Sequence, residues 1–203
     1  MVYLLTSLEV ILLEDELNKL KNESAIEDIN ISCYDLESDS LKDVIDDALT
    51  LSMFADKKMI ICDNAYLFTS KKSEDTSYLE EYLENINPST ILIFLLNEDK
   101  LDERKKVTKL IKKNGVYKDL SIKDIPSYVK ELFKGYNITL SDIKLFIDRV
   151  GTSLEALSSE ASKIILYKED SKDITKEDII NLTSENIESD IFTLVDEIVN
   201  KDK

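Results

Sequence analysis

Over the first 120 residues, short apolar runs alternate with amphipathic stretches. The runs occupy residues 2–5, 29–34, 59–62, 91–96 and 116–120. The middle ones are apolar without interruption, as expected of strands covered on both faces of a parallel sheet. Between them the apolar positions fall at helical spacing. Ser40 and Asp43 form a capping-box pattern ahead of Leu41, Val44, Ile45, Ala48 and Leu49. Tyr78, Leu79, Tyr82, Leu83 and Ile86 make a second stripe, stopped by Pro88. Leu101, Val107, Leu110 and Ile111 make a third, ended by Gly115 at a C′ position. The alternation predicts an α/β domain over residues 1–120.

Beyond residue 120 the strand pattern stops. Ile125, Tyr128, Val129, Leu132 and Phe133 share one helical face, and Ile143, Phe146, Ile147 and Val150 share another, closed by Gly151. Thr152 with Glu155 reads as the cap of a third helix, which carries Leu154, Leu157, Ala161, Ile164 and Ile165. Thr175 with Asp178 caps a fourth, holding Ile179 and Leu182. A small helical bundle over residues 121–185 is predicted. A final stripe, Ile191, Leu194, Val195, Ile198 and Val199, reads as the opening helix of a further domain, over residues 186–203.

Composition narrows the chemistry. The 203 residues carry a net charge of −16, which repels nucleic acid unless basic residues are locally segregated. There is no histidine, so Ser-His-Asp triads, Cys-His dyads and His-ligated zinc are excluded together. Cys33 and Cys62 both lie in strand-like runs and read as buried thiols of a cytoplasmic protein. The start lacks the basic region of a signal peptide, and no run reaches membrane-spanning length.

An α/β domain followed by a small helical bundle is the layout of many ATP-handling proteins. Their phosphate loop needs G-x-x-x-x-G-K-[ST] after the first strand. That position reads "TSLEVILLEDEL", without Gly or Lys. Asp63 stands where a Mg2+-holding carboxylate would, but Asn64 follows it in place of Glu. No cofactor or metal is therefore expected. The acidic clusters lack the spacing of a Ca2+ loop and read as solvated helix faces. The one local basic stretch, "KLDERKKVTKLIKK", reads first as a solvated helix face whose cations suit the helix C-terminus, with Lys105, Lys106 and Lys109 as the candidates for contact with DNA or a neighbouring subunit.

Met53 and Phe54 stand between an amphipathic helix and a buried strand, where a polar connector is expected. At about 100° per residue, a continued helix would turn Phe54 about 150° from the core stripe, with Met53 near its edge. If the helix ends near Thr50, the pair sits on the turn into the strand. Two placements stay open there: tucked under the domain, or exposed as a wedge for a partner's pocket. Burying both in a partner could contribute about 3–5 kcal/mol.

Five segments in order carry a resemblance: "YLLTSLEVILLEDELNKLK", "LKDVIDDALTLSMFADKKMIICDNA", "YLEEYLENINPSTILIFLLNEDKLDERKKVTKLIKKNG", "RVGTSLEALSSEASKIILY" and "IESDIFTLVDEIVNKDK". Together they resemble the delta subunit of the bacterial DNA polymerase III clamp loader, over essentially the whole chain. The resemblance implies an AAA+-like parallel sheet with flanking helices, a helical lid, and a collar domain that would follow residue 203. It implies no intrinsic ATPase, within an assembly, DNA polymerase III, that is a nucleotidyltransferase. Leu154 stands at the position of the lid arginine of active relatives. The implied partners are the sliding clamp, the other loader subunits (through the collar) and primed DNA in the whole complex, with no membrane. In that family a Leu-Phe pair at the helix–strand turn enters the clamp's pocket, and the contact lets the ring interface open. Met53 and Phe54 match that pair, with Met for Leu, and Leu51 and Ser52 flank it as supporting residues. The rival readings are a divergent P-loop-fold NTPase using Asp63, and an acidic interaction module unrelated to replication.

Overall fold

A computed structural model describes residues 1–50, 56–72, 74–122 and 124–184. The chain divides into two compact units, Met1–Ser121 and Ile122–Lys203.

The first unit is built on five parallel strands: β1 (Val2–Thr6), β2 (Ile31–Asp35), β3 (Lys58–Asp63), β4 (Thr90–Leu96) and β5 (Val116–Asp119). They lie in the order β2-β3-β4-β1-β5. The connecting helices are α1 (Val10–Ser24), α2 (Leu41–Leu49), α3 (Ser77–Glu84) and α4 (Lys106–Asn114). The strand order dictates where they go. The chain leaves β1 for β2 in one direction across the sheet, then returns through β3 and β4 to β5 in the other. Right-handed crossovers therefore put α1 on one face and α2, α3 and α4 on the opposite face. Both faces are buried, which is why the central strands are apolar throughout.

Side chains divide between the faces with period two. Ile60, Cys62, Leu92, Phe94 and Leu96 pack with Val44, Ile45, Leu79, Leu83, Val107 and Ile111. Met59, Ile61, Ile93 and Leu95 pack instead with Leu13 and Leu20 of α1. Phe68 and Phe94 meet edge to face at 5.3 Å within the larger cluster. This is the α/β parallel sheet that the apolar runs predicted, and the AAA+-like sheet with flanking helices that the resemblance implied.

Several local readings change. Residues 28–30 form a single 3-10 turn and Ile29 is 85% exposed, so β2 starts two residues later than its apolar run. Cys33 is exposed on the edge strand β2, whereas Cys62 is buried and its thiol is pushed up by burial. Ser40 caps α2 by accepting from the Lys42 N–H at 3.2 Å, not through a box with Asp43. The second stripe leaves its helix before Ile86, and Tyr78 faces solvent. Gly115 does close α4, but with φ −105°, not in the left-handed region. Glycine is needed there for space: a Cβ would lie 2.9 Å from both the Ile111 and the Val2 carbonyl oxygens.

The second unit contains α5 (Ile125–Leu132), α6 (Leu140–Val150), α7 (Leu154–Tyr167) and α8 (Lys176–Leu182). Its core holds Val129, Phe133, Ile143, Phe146, Leu157, Ile164 and Ile179, with Phe133 edge to face on Phe146 at 5.3 Å. Gly151 ends α6 at φ 89°, a conformation that favours glycine. Ser153, not Thr152, caps α7 by accepting from Ala156 N–H. The Thr175–Asp178 capping box forms as expected, with both reciprocal hydrogen bonds present. The terminal stripe, from Ile191 to Val199, lies outside the described residues.

Candidate functional site

The Met53–Phe54 candidate hangs on the joint between α2 and β3. The helix stops at Leu49 because Thr50 leaves helical geometry, with φ −72° and ψ 137°. Leu51, Ser52, Met53 and Phe54 lie outside the described residues, between that end and Lys58. Both ends of the connection are tied down. Thr50 donates its N–H to the Asp46 and Asp47 carbonyls at 3.2 and 2.9 Å, and its hydroxyl to Asp46 O at 2.8 Å. The Ala48 carbonyl accepts from Thr90 Oγ1 at 2.9 Å and from Asn87 Nδ2 at 3.1 Å. Three of the last four carbonyls of α2, those of Asp46, Asp47 and Ala48, are thus partnered.

Lys58 closes the joint. It is only 8% exposed, and its ammonium donates to the Asp47 carbonyl oxygen and, at 2.7 Å, to Asp47 Oδ1. Its own backbone N–H goes to Ser89 O at 3.0 Å. The other Asp47 oxygen accepts from the Tyr34 hydroxyl at 3.1 Å. Burial, then the Asp47 charge, push the Tyr34 phenol up to about 12, so it stays a donor. Thr50 and Lys58 therefore stand at a charged, hydrogen-bonded joint beside the buried Val44, Ile45 and Ala48 of α2.

At the basic stretch the three candidates differ in availability. Lys105 is turned inward, donating to the Leu67 and Lys72 carbonyls at 2.7 and 2.6 Å. Lys106 pairs with Glu80 at 3.0 Å from an exposed position. Lys109 is exposed and has no side-chain ion pair or hydrogen bond among the described residues. Sequence spacing placed all three in one basic run. Only the fold shows that Lys105 is used as an internal tie.

Open α/β sheets bind ligands outside the strand ends where neighbouring connections part to opposite faces. Here that point lies between β1 and β4. Ser7, Leu8 and Glu9 span the gap from β1 to α1, and Asn97, just past β4, bridges them. Its side-chain amide donates to Ser7 O at 3.0 Å and Leu8 O at 2.9 Å. The Ser7 N–H is used by Leu96 O at 3.2 Å, and the Glu9 N–H by Ser7 Oγ at 3.0 Å. The Ser7 and Glu9 N–H groups of this turn are thus already used within the protein, where a phosphate loop needs N–H donors. Beside it, burial and the neighbouring Asp35 push the Asp63 carboxyl up, while a hydrogen bond from Asn64 (2.8 Å) holds Asp35 down. Among the described residues, no group of three or more His, Cys, Asp or Glu side chains is arranged to hold a metal ion. Leu154 is buried in the helical unit.

A family model described as DNA polymerase III, delta subunit, matches residues 3–121. The chain belongs to the DNA polymerase III delta subunit family. The DNA polymerase III subunit delta of Bacillus subtilis (strain 168) is 30% identical over 213 residues, covering 98% of this chain and 61% of that protein. The solved structure of the Bacillus subtilis DNA clamp loader delta protein (YqeN) has a TM-score of 0.85 at 29% identity, covering 99% of this chain and 63% of that one. The chain thus spans somewhat under two thirds of the length of these two delta relatives. No described helix is long and apolar enough to cross a membrane.

Proposed function

We propose that this delta-family chain binds the DNA polymerase III sliding clamp and opens its ring interface, without hydrolysing ATP. Met53 and Phe54 form the wedge, and Leu51 and Ser52 support it. The observation that carries the reading is the joint beneath them. A wedge transmits force to a partner only if its root does not yield, and the root is held by Lys58, Asp47, Thr50, Asn87 and Thr90. Opening follows from differential affinity: the wedge must bind the opened ring more tightly than the closed one.

In this reading residues 1–120 are an AAA+-like domain without a nucleotide site, and residues 121–185 are its helical lid. The turn after β1, without Gly or Lys and with its Ser7 and Glu9 N–H groups already bonded, supports the first assignment against a divergent NTPase using Asp63. Lys109 and Lys106 are the exposed cations through which the subunit would touch primed DNA or a neighbouring loader subunit in the cytoplasm.

The test is clamp binding by the 203-residue chain. Phe54→Ala should weaken it by about 1.5–3 kcal/mol, and Met53→Ala by less, with the unfolding midpoint unchanged. Wild-type affinity in both variants would remove the wedge assignment. Unfolding of both would place the pair in the domain's own core instead.

A further inference from the structure

The turns after β1, β2, β3 and β4 leave the carboxyl end of the sheet and follow the strand order β2-β3-β4-β1 in space. The stretch after β3 therefore lies between those after β2 and β4, and lysines bind it to both. Lys105, from the stretch after β4, donates to the Leu67 and Lys72 carbonyls at 2.7 and 2.6 Å. Lys72 in turn donates to the Leu36 carbonyl, in the turn after β2, and pairs with Glu74 at 3.2 Å. A backbone bond runs beside them, from Asp102 N–H to Phe68 O at 2.9 Å. Lys72 is the middle link: its carbonyl is held from the β4 side, and its ammonium holds the β2 side.

Local preference does not account for Lys105. It is the N-cap residue of α4, makes no side-chain bond to that helix, and stands at the end where the helix dipole disfavours a cation. What offsets this is tertiary. An ammonium has three donors and can bridge carbonyls on separate residues, and a charge-assisted bond is roughly twice as strong as a neutral one. Among the described residues no hydrogen bond or ion pair joins Lys105 directly to the turn after β2, so the two communicate through Lys72. A ligand bound across this edge of an α/β sheet joins the turns it touches. Here two ammonium groups of the chain itself do so.

We infer that Lys105 and Lys72 form a strap that makes the turns after β2, β3 and β4 move as one body, with Lys105 acting on the β2 turn through Lys72. Load applied to one of the three turns is then shared by all of them. The wedge segment takes no part in these bonds.

The experiment reads amide exchange, residue by residue, in the 203-residue chain as wild type, Lys105→Met, Lys72→Met and the double variant. The Phe68 and Thr69 amides report on the stretch after β3, and the Glu37 and Ser38 amides on the turn after β2. Lys105→Met should speed exchange about 3–20-fold at Phe68 and Thr69, and also at Glu37 and Ser38. Lys72→Met should speed Glu37 and Ser38 alone, because Lys105 still holds the stretch after β3 through Leu67. In the double variant Glu37 and Ser38 should exchange no faster than in Lys72→Met. Wild-type rates at Glu37 and Ser38 in Lys105→Met would overturn the strap, as would a double variant faster there than Lys72→Met. Uniform acceleration across residues 1–121 would overturn it too, by showing general destabilisation. If Lys105→Met does not fold, Lys72→Met decides alone: faster exchange at Phe68 and Thr69 in that variant would contradict the order of the links.

Discussion

Lys58 joins two elements that the backbone connects only through residues 50–57. Its side chain is 10% exposed and that of Asp47 24%, so most of the pair has left water. Removing one partner of such a pair leaves the other desolvated and uncompensated. Lys58→Met should therefore lower stability by about 2–4 kcal/mol, read from urea unfolding. Replacing both members with apolar residues should recover much of the loss, and failure to recover would mean that the backbone contact to Asp47 O is what counts. Gly115→Ala offers a second residue-scale test. Its φ is ordinary, so any cost comes from the two carbonyl oxygens 2.9 Å from the added Cβ, and about 1–3 kcal/mol is expected. At Gly135, with φ +86° and nothing near the Cβ, the cost should be about 1 kcal/mol of backbone strain alone. A larger loss at Gly135 than at Gly115 would reverse this assignment.

At the scale of elements, α8 is held at its first turn by Asp178. The carboxylate accepts from Thr175 N–H and Oγ1 at 2.8 and 2.7 Å and pairs with Lys168 at 2.8 Å. Burial alone would push this carboxyl up, but Lys168 and Thr175 outweigh it and hold the carboxyl below its usual 3.8. A depressed carboxylate stabilises the fold fully above its unfolded value and loses that contribution as pH falls through the folded one. Amide protection in α8 should therefore drop as pH falls below the ordinary carboxylate value of 3.8 in wild type, and Asp178→Asn should flatten that dependence. An unchanged pH profile in Asp178→Asn would remove Asp178 from the account. Thr175→Ala should cost about 1 kcal/mol. This box was legible in the sequence because its hydrogen bonds are local. Ser40 also proved to be a cap, but its partner is Lys42 N–H instead of Asp43. The next cap was off by one, Ser153 for Thr152, since two adjacent hydroxyl residues offer the same chemistry and only backbone geometry chooses between them.

At the scale of the whole molecule, charge and topology govern what the chain can bind. Net −16 disfavours nucleic acid, so any affinity for primed DNA should be weak, fall steeply with salt and decline further in Lys106→Ala with Lys109→Ala. Salt-independent binding, or no change in the double variant, would discard those lysines. Mg-ATP at millimolar concentration should leave the unfolding midpoint unshifted, because the turn after β1 lacks the Gly and Lys of a phosphate loop and spends its Ser7 and Glu9 N–H groups within the protein. A shift lost in Asp63→Asn would restore the NTPase reading.

The sequence by itself determined the five strands, most of the helices and the absence of a phosphate loop. These depend on periodicity and on residue types within a few positions, which are local properties. The resemblance to the delta family also rested on ordered local segments. Tertiary structure decided matters that depend on distant partners. Asn97 meets Ser7 and Leu8, Lys58 meets Asp47, and Lys105 turns toward Leu67 and Lys72 only because strand order brings them together. Cys33 is exposed and Cys62 buried although both lie in apolar runs, because one strand is an edge and the other is flanked on both sides.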